Sequence, residues 1–222
     1  MRFLFITATI AMVTLVGCAT PPAERSRPSV SDTRACCRSV ERTPSGSAIV
    51  QTAAKLVGAK TIKSNGRRIA YDCAGVTRAV FLKHGIDLYV GEPDDAHANG
   101  VRIIHAHIRQ HGTFHQGPVA HPGDLVFFNN TWDYNGDGEV NDPLTHVGIV
   151  ERQEPNGTVI FISRVAGAVE RHRMNLDLPH VHKTADGRIL NGYLRRKDVA
   201  DPANTGYLTG ELFAQFATRV GP

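Results

Sequence analysis

From residue 45 onward the apolar positions recur first at helical spacing and then at strand spacing. Ile49, Ala53, Leu56 and Val57 predict a helix that follows Pro44-Ser45-Gly46-Ser47 and stops at Gly58. Asp72 is a good N-cap for a second helix running to His84, with Gly85 as its stop and Cys73, Val76 and Val80 as its inward stripe. Val101, Ile104 and Ile108 predict a third over Ala96 to His111, stopped by Gly112. The period then changes. Asp124-Leu-Val-Phe-Phe128 follows a Pro122-Gly123 turn. His146 to Arg152 and Thr158 to Ser163 are apolar runs joined at Pro155-Asn156-Gly157, a hairpin signature. Gly167 to Arg173 and Arg188 to Leu194 read as further strands, and Leu212, Phe213 and Phe216 as a short closing helix. Helices first and antiparallel strands after define an α+β domain over 45–222.

The first residues do not belong to that domain. Met1-Arg2 is a short cationic start, and Phe3 to Val16 is an apolar run too short to span a bilayer. It closes on Leu15-Val16-Gly17-Cys18, which resembles the bacterial lipobox. Residues 1–17 are then a lipoprotein signal peptide and Cys18 the lipidation site. Ala19 follows instead of an aspartate, and by resemblance to lipoprotein sorting this favours the periplasmic face of the outer membrane. Residues 18–44, with Pro21, Pro22, Pro28 and Pro44 and no apolar period, read as a flexible tether. Cys36 and Cys37 sit within it, and a bridge between such neighbours is strained. The formal charge of +4 falls to +3 on loss of Arg2. That is too weak to argue for nucleic acid, though it suits an anionic wall.

Asp72-Cys73 places a thiol on the first turn of a helix, where the helix N-terminus favours the thiolate. His146 opens an apolar strand and can reach the thiol from a facing sheet. Such a pair attacks amide carbonyls. Main-chain N–H groups at the helix start stabilise the oxyanion, and the imidazole hands its proton to the leaving amine. Tyr71, Asp72 and Ala74 flank the thiol and are the candidate substrate and oxyanion positions. A lone cysteine on an amphipathic helix is otherwise an ordinary apolar filler.

Three strings bear on that choice: Asp72-Cys-Ala-Gly-Val76, Pro122-Gly-Asp-Leu-Val-Phe-Phe128 and His146-Val-Gly-Ile-Val150. In this order and spacing they resemble the NlpC-type cell-wall peptidases and their relatives, the CHAP amidohydrolases/peptidases, over about residues 47–195. The resemblance implies a papain-like fold, a nucleophile helix packed on a central antiparallel sheet, and peptidoglycan as substrate. It makes Cys73 the nucleophile and His146 the general base. Two positions depart from the pattern. Ala74 stands where serine is usual. The third catalytic position, usually histidine or another polar group on the next strand, is Ser163, whose hydroxyl can accept the His146 ring N–H. Glu170, His172 or Asn175 fill that role if the strands pair differently.

Asp133, Asn135, Asp137 and Glu139 fall at alternate positions of a glycine-bearing loop, with Asp142 at its end. This resembles the Asp-x-Asn-x-Asp-Gly loops of EF-hands and dockerins, and calcium takes six to eight oxygens around such a turn. Leu144 occupies the position of the usual bidentate acid, and Asp142 substitutes for it. Calcium here is structural, and catalysis needs no cofactor. The eleven histidines include His107 and His111 at helical spacing, but Gly112 separates His115, and no H-E-x-x-H string supports zinc. His97, His105 and His121 are candidate cleft residues. The expectation is a monomeric, lipid-anchored cysteine hydrolase of peptidoglycan stem peptides. The alternative is a lipoprotein that uses a degenerate cleft to bind wall peptide or a protein partner.

Overall fold

The computed structural model describes residues 43–64, 67–91 and 98–221. Cys18, Cys36, Cys37, His97 and the signal peptide lie outside the described residues, as does nearly all of the tether. The helices come first: α1 (Gly46–Ala54), a two-stranded ribbon of β1 (Lys63–Ser64) and β2 (Arg67–Arg68), α2 (Cys73–Leu82) and α3 (Gly100–His111). Then follow β3 (Thr113–His115), β4 (Leu125–Phe128), β5 (His146–Gln153), β6 (Val159–Val165) and β7 (Ala168–Met174). A single turn, α4 (Thr209–Leu212), leads into β8 (Phe213–Thr218). The larger sheet is antiparallel throughout, in the order β3-β8-β4-β5-β6-β7.

Each long helix begins on a side chain suited to cap it. Ser45 accepts the Ala48 N–H at 3.3 Å, Asp72 the Gly75 N–H at 2.7 Å and Asn99 the Arg102 N–H at 2.9 Å. The helices cover one face of the sheet. Val76, Val80 and Phe81 of α2 pack there with Leu125, Phe127, Val147, Ile149 and Ile162. The other face carries Val126, Phe128, Val150, Phe161 and Phe216, covered by Leu194 and Leu212. Burial on both faces is why Leu125–Phe128 and Val147–Val150 are continuous apolar runs and not alternating ones. Each fully buried side chain of this size contributes roughly 1.5–3 kcal/mol.

Asp124 explains the polar residue within the Pro122-Gly-Asp-Leu string. It is 2% exposed. Its carboxylate accepts the His121 N–H at 2.8 Å and the Thr218 hydroxyl at 2.7 Å, which ties the turn before β4 to β8. Gly46 of α1 lies directly on that turn, and a Cβ there would stand 1.9 Å from the Pro122 carbonyl oxygen.

Two expected elements are different. Arg188 to Leu194 is no strand and makes only isolated bridges, Lys183 with Ile189 and Tyr193 with Leu208. There the fully buried Asn191 amide does the work of a ladder, accepting the Asn175 N–H and donating to the Leu178 and Val181 carbonyls. The closing helix is one turn long, and Phe213 and Phe216 belong to β8. Their spacing fits helix or strand, and the open edge of β4 decides the matter. The third helix starts at Gly100, on its Asn99 cap.

Gly75 shows how closely α2 is held. A Cβ on Gly75 would sit 2.0 Å from the Ala70 carbonyl oxygen. Gly75→Ala is expected to cost about 1–3 kcal/mol, as overpacking does. The melting temperature should then fall by about 2–4 °C per kcal/mol. Gly117→Ala, whose Cβ would meet nothing within 4 Å, serves as the control. Equal melting temperatures for the two variants would show that the turn before α2 yields freely.

Candidate functional site

The Asp72 cap and the close fit of Gly75 fix the first turn of α2, and with it Cys73. The residue is partly exposed and is the free cysteine among the described residues. Its sulfur faces three main-chain N–H groups: its own, that of Ala74, and that of Val147 on β5. The third comes from a break in the sheet. The β5–β6 ladder runs from Gln153↔Val159 to Ile149↔Ile162 and stops there. Beyond it β5 continues to pair with β4, and β6 with β7. The Val147 N–H and C=O are therefore left without a β6 partner, and the α2 sulfur faces the N–H.

Ser163 takes the carbonyl of the same residue. Its hydroxyl donates to the Val147 carbonyl at 2.7 Å and lies 2.8 Å from His146 Nε2. A serine hydroxyl has one proton. Because that proton goes to Val147, His146 must donate to Ser163 from Nε2. The neutral ring then keeps its lone pair on Nδ1, the nitrogen nearer the main chain. Sulfur and hydroxyl thus both face the main chain of Val147, the residue that follows His146. Ser163 is fully buried and His146 is 8% exposed.

Of the other candidates for the third position, Asn175 is committed to Thr158, Asn156 and Leu178, and Glu170 stands across from Ser163 on β7. His172 lies close enough to His146 to disfavour its protonation. Tyr71 donates its hydroxyl to the Ala59 carbonyl. The Arg164 guanidinium stands over the Tyr71 ring at 5.2 Å. The Asp72 carboxylate is occupied as the helix cap, and Ala74 is buried, with its N–H turned toward the sulfur. Nothing in the sequence marks Val147 or Arg164 as neighbours of the site. Their positions follow from where the ladder ends.

The electrostatics reverse one expectation. A helix start and an imidazolium were expected to hold Cys73 as thiolate. Burial instead pushes the thiol up to about 11, opposed by the Val147 N–H and assisted by the negative charge of Asp72. Burial also pushes His146 down to about 3, helped by His172 and Arg164. At neutral pH both groups are uncharged.

The histidines do not gather at Cys73. His107 accepts from Arg219 at Nε2 and reaches the Val90 carbonyl from Nδ1, so neither ring nitrogen is open for zinc. His105 is bonded to Gln215 and His121 stands beside Asp124, both on the β3–β8–β4 side of the sheet. Among the described residues, no three His, Cys, Asp or Glu side chains are gathered so as to hold a metal ion. The carboxylates of Asp133, Asp137 and Asp142 instead accept main-chain N–H groups of their own loop. A cleft of about 370 Å³ lies beside that loop, between Trp132 and Lys197. The chemistry at Cys73 is elsewhere.

No family model matches the chain, and no curated protein matches it in sequence. Among solved structures it is similar to an NlpC/P60 family protein from Bacillus cereus ATCC 10987. That likeness has 21% identity and a TM-score of 0.41, over 81% of this chain and 41% of that one. The chain therefore spans less than half the length of that protein. It is also similar to the P60 domain of an antigen from M. avium subspecies paratuberculosis, with 16% identity and a TM-score of 0.34, over 57% of this chain and 82% of that one. Neither likeness is close enough to assign a role to a residue here.

The two pKa directions set the pH dependence of stability. Between pH 6.5 and about 3, the unfolded chain takes up a proton on His146 that the folded chain excludes, so stability falls as pH drops. Between pH 9.0 and about 11, the unfolded thiol releases a proton that the folded one keeps, so stability falls as pH rises. Urea unfolding of wild type and Cys73→Ala across pH 9 to 11 is expected to show a shallower alkaline decline in the variant, by up to about 1.4 kcal/mol per pH unit. Parallel curves would mean the thiol is not held protonated. Asp72→Asn keeps a cap and removes the charge, and it should move the onset of iodoacetamide alkylation to lower pH.

Proposed function

We propose that the chain is a cysteine hydrolase that cleaves an amide bond in the stem peptides of peptidoglycan, within a papain-like domain of the NlpC/CHAP type. The observation that carries this reading is the shared main chain of Val147. The Cys73 sulfur faces the Val147 N–H, and the imidazole of the preceding residue, His146, is held by Ser163 with its Nδ1 lone pair free. The three sequence strings supply the substrate class.

In this reading Cys73 attacks the carbonyl carbon as its proton moves to His146 Nδ1. The charge on the tetrahedral oxygen develops beside the N–H groups at the start of α2. The imidazolium then gives the proton to the departing amine, leaving a thioester, and water attacks that thioester with His146 again as base. Ser163 fixes the ring tautomer and cannot share the charge as a carboxylate would. Lipidation at Cys18 would hold the domain at the membrane, with the outer membrane's periplasmic face the expected location.

A second reading, a binding lipoprotein that no longer cuts, is favoured by one observation: burial holds thiol and imidazole in their uncharged forms. Digestion of purified sacculi separates the two. Wild type is expected to release stem-peptide fragments identifiable by mass spectrometry, Cys73→Ala none, and Ser163→Ala fragments at a rate lower by about tenfold to a hundredfold. Sacculi that bind the wild-type protein yet yield no fragments would establish the binding reading.

A further inference from the structure

We propose that the Asp133–Asp142 loop is a binding site for a divalent cation of the calcium class, closed by the buried carboxylate of Asp142. The hydrogen-bonded turns of the loop do not by themselves require an ion. Asp142 does. It is 2% exposed. Its Oδ1 accepts the Asn135 N–H at 3.2 Å, which turns the carboxylate toward the middle of the loop, and its Oδ2 is buried with no hydrogen-bond partner. Buried carboxylate oxygens are satisfied as a rule, and an orphan one signals a missing partner. A hard cation is a partner that such an oxygen can serve as a ligand.

The remaining donors are of the right kind. Each Asp133 oxygen accepts one main-chain N–H, from Gly136 at 2.7 Å and Gly138 at 2.9 Å, and retains a second lone pair. The Asn135 and Asn141 amides both stand 2.8 Å from Asp137 Oδ2, and an amide can present its oxygen where it now presents nitrogen. Glu139 adds a main-chain carbonyl at the position where such loops use one. This shell mixes carboxylate, amide and carbonyl oxygens, so it needs no cluster of three acids on one point. Asn135 and Asp137 are exposed and able to turn inward. Gly136 and Gly138, at φ 74° and 78°, give the tight path.

The base of the loop joins β4 to β5. Asn130 and Asp142 exchange hydrogen bonds, Leu144 N–H reaches Asn129 Oδ1, and Thr131 N–H reaches Thr145 Oγ1. An ion drawing Asp142 toward Asp133 would brace this base, so binding should raise the melting temperature.

The chain's one tryptophan, Trp132, directly precedes Asp133 and makes terbium(III) a local probe. With excitation at 280 nm, wild type is expected to give saturable terbium emission that calcium displaces at lower concentration than magnesium. Asp137→Asn and Asp142→Asn should each weaken terbium binding tenfold or more, while Asp186→Asn, in a distant exposed turn, should not. Calcium at 1 mM should raise the melting temperature of wild type by several degrees and leave that of Asp137→Asn unchanged. If Asp142→Asn fails to fold, the exposed Asp137→Asn still decides the matter. Absent sensitised emission, emission indifferent to the Asp137 substitution, or a melting curve unmoved by calcium would overturn the site.

Discussion

The arrangement at Cys73 depends on one interruption in a ladder. Sheet hydrogen bonding between β5 and β6 ends at Ile149↔Ile162, and the next outward-facing peptide, at Val147, must find other partners. Buried main-chain groups are rarely left without them. Here the N–H faces a sulfur delivered by the first turn of α2, and the carbonyl accepts from a serine hydroxyl of β6. The interruption therefore leaves a donor and an acceptor that face a thiol and a tautomer-fixing hydroxyl. The helix that carries the sulfur packs on one sheet face, and the histidine sits with Phe128 on the other. Had the ladder continued one pair further, β6 would occupy the place of the sulfur.

The same enclosure that positions these groups works against charging them. Separating the pair into thiolate and imidazolium places two ions where burial already holds each neutral. Their mutual attraction offsets this only when they form together and close by. In the proposed reaction a concerted transfer, with the proton leaving sulfur as carbon–sulfur bonding begins, would avoid populating either ion alone. Asp72 sharpens the conflict, because the carboxylate that caps α2 also repels negative charge on the adjacent thiol. Capping strength and nucleophile acidity are thus set against each other at neighbouring residues.

Much of this was legible in the sequence, and the remainder was not for definite reasons. Helical spacing and cap chemistry located α1, α2 and α3, and the Pro-Asn-Gly turn located the β5–β6 hairpin, because these are local signals. Pairing Ser163 with His146 followed from a strand-by-strand resemblance and holds at 2.8 Å. The reading of Arg188–Leu194 as a strand failed because apolar content there serves loop packing around Asn191. Phe213 and Phe216 joined a strand because an edge of β4 was open, which no local pattern encodes. The upward push on the Cys73 thiol lies outside the sequence for a related reason. A helix N-terminus is visible in sequence, whereas the depth at which α2 is buried against the sheet is a tertiary property.

Ser163 fits this environment better than its weakness as a base partner suggests. A carboxylate at that position would add a third charge beside a buried imidazole, and it would leave the Val147 carbonyl without a donor, since an ionised carboxylate only accepts. A neutral hydroxyl can accept from His146 and donate to Val147 at the same time. With the hydroxyl proton committed to a main-chain carbonyl, its direction is set by the backbone of β5, and the imidazole proton on Nε2 is set in turn. The lone pair at Nδ1 is therefore oriented by the sheet itself, without buried charge. What the arrangement forgoes is stabilisation of imidazolium, so any cleavage must draw that stabilisation from the developing negative charge on the substrate side.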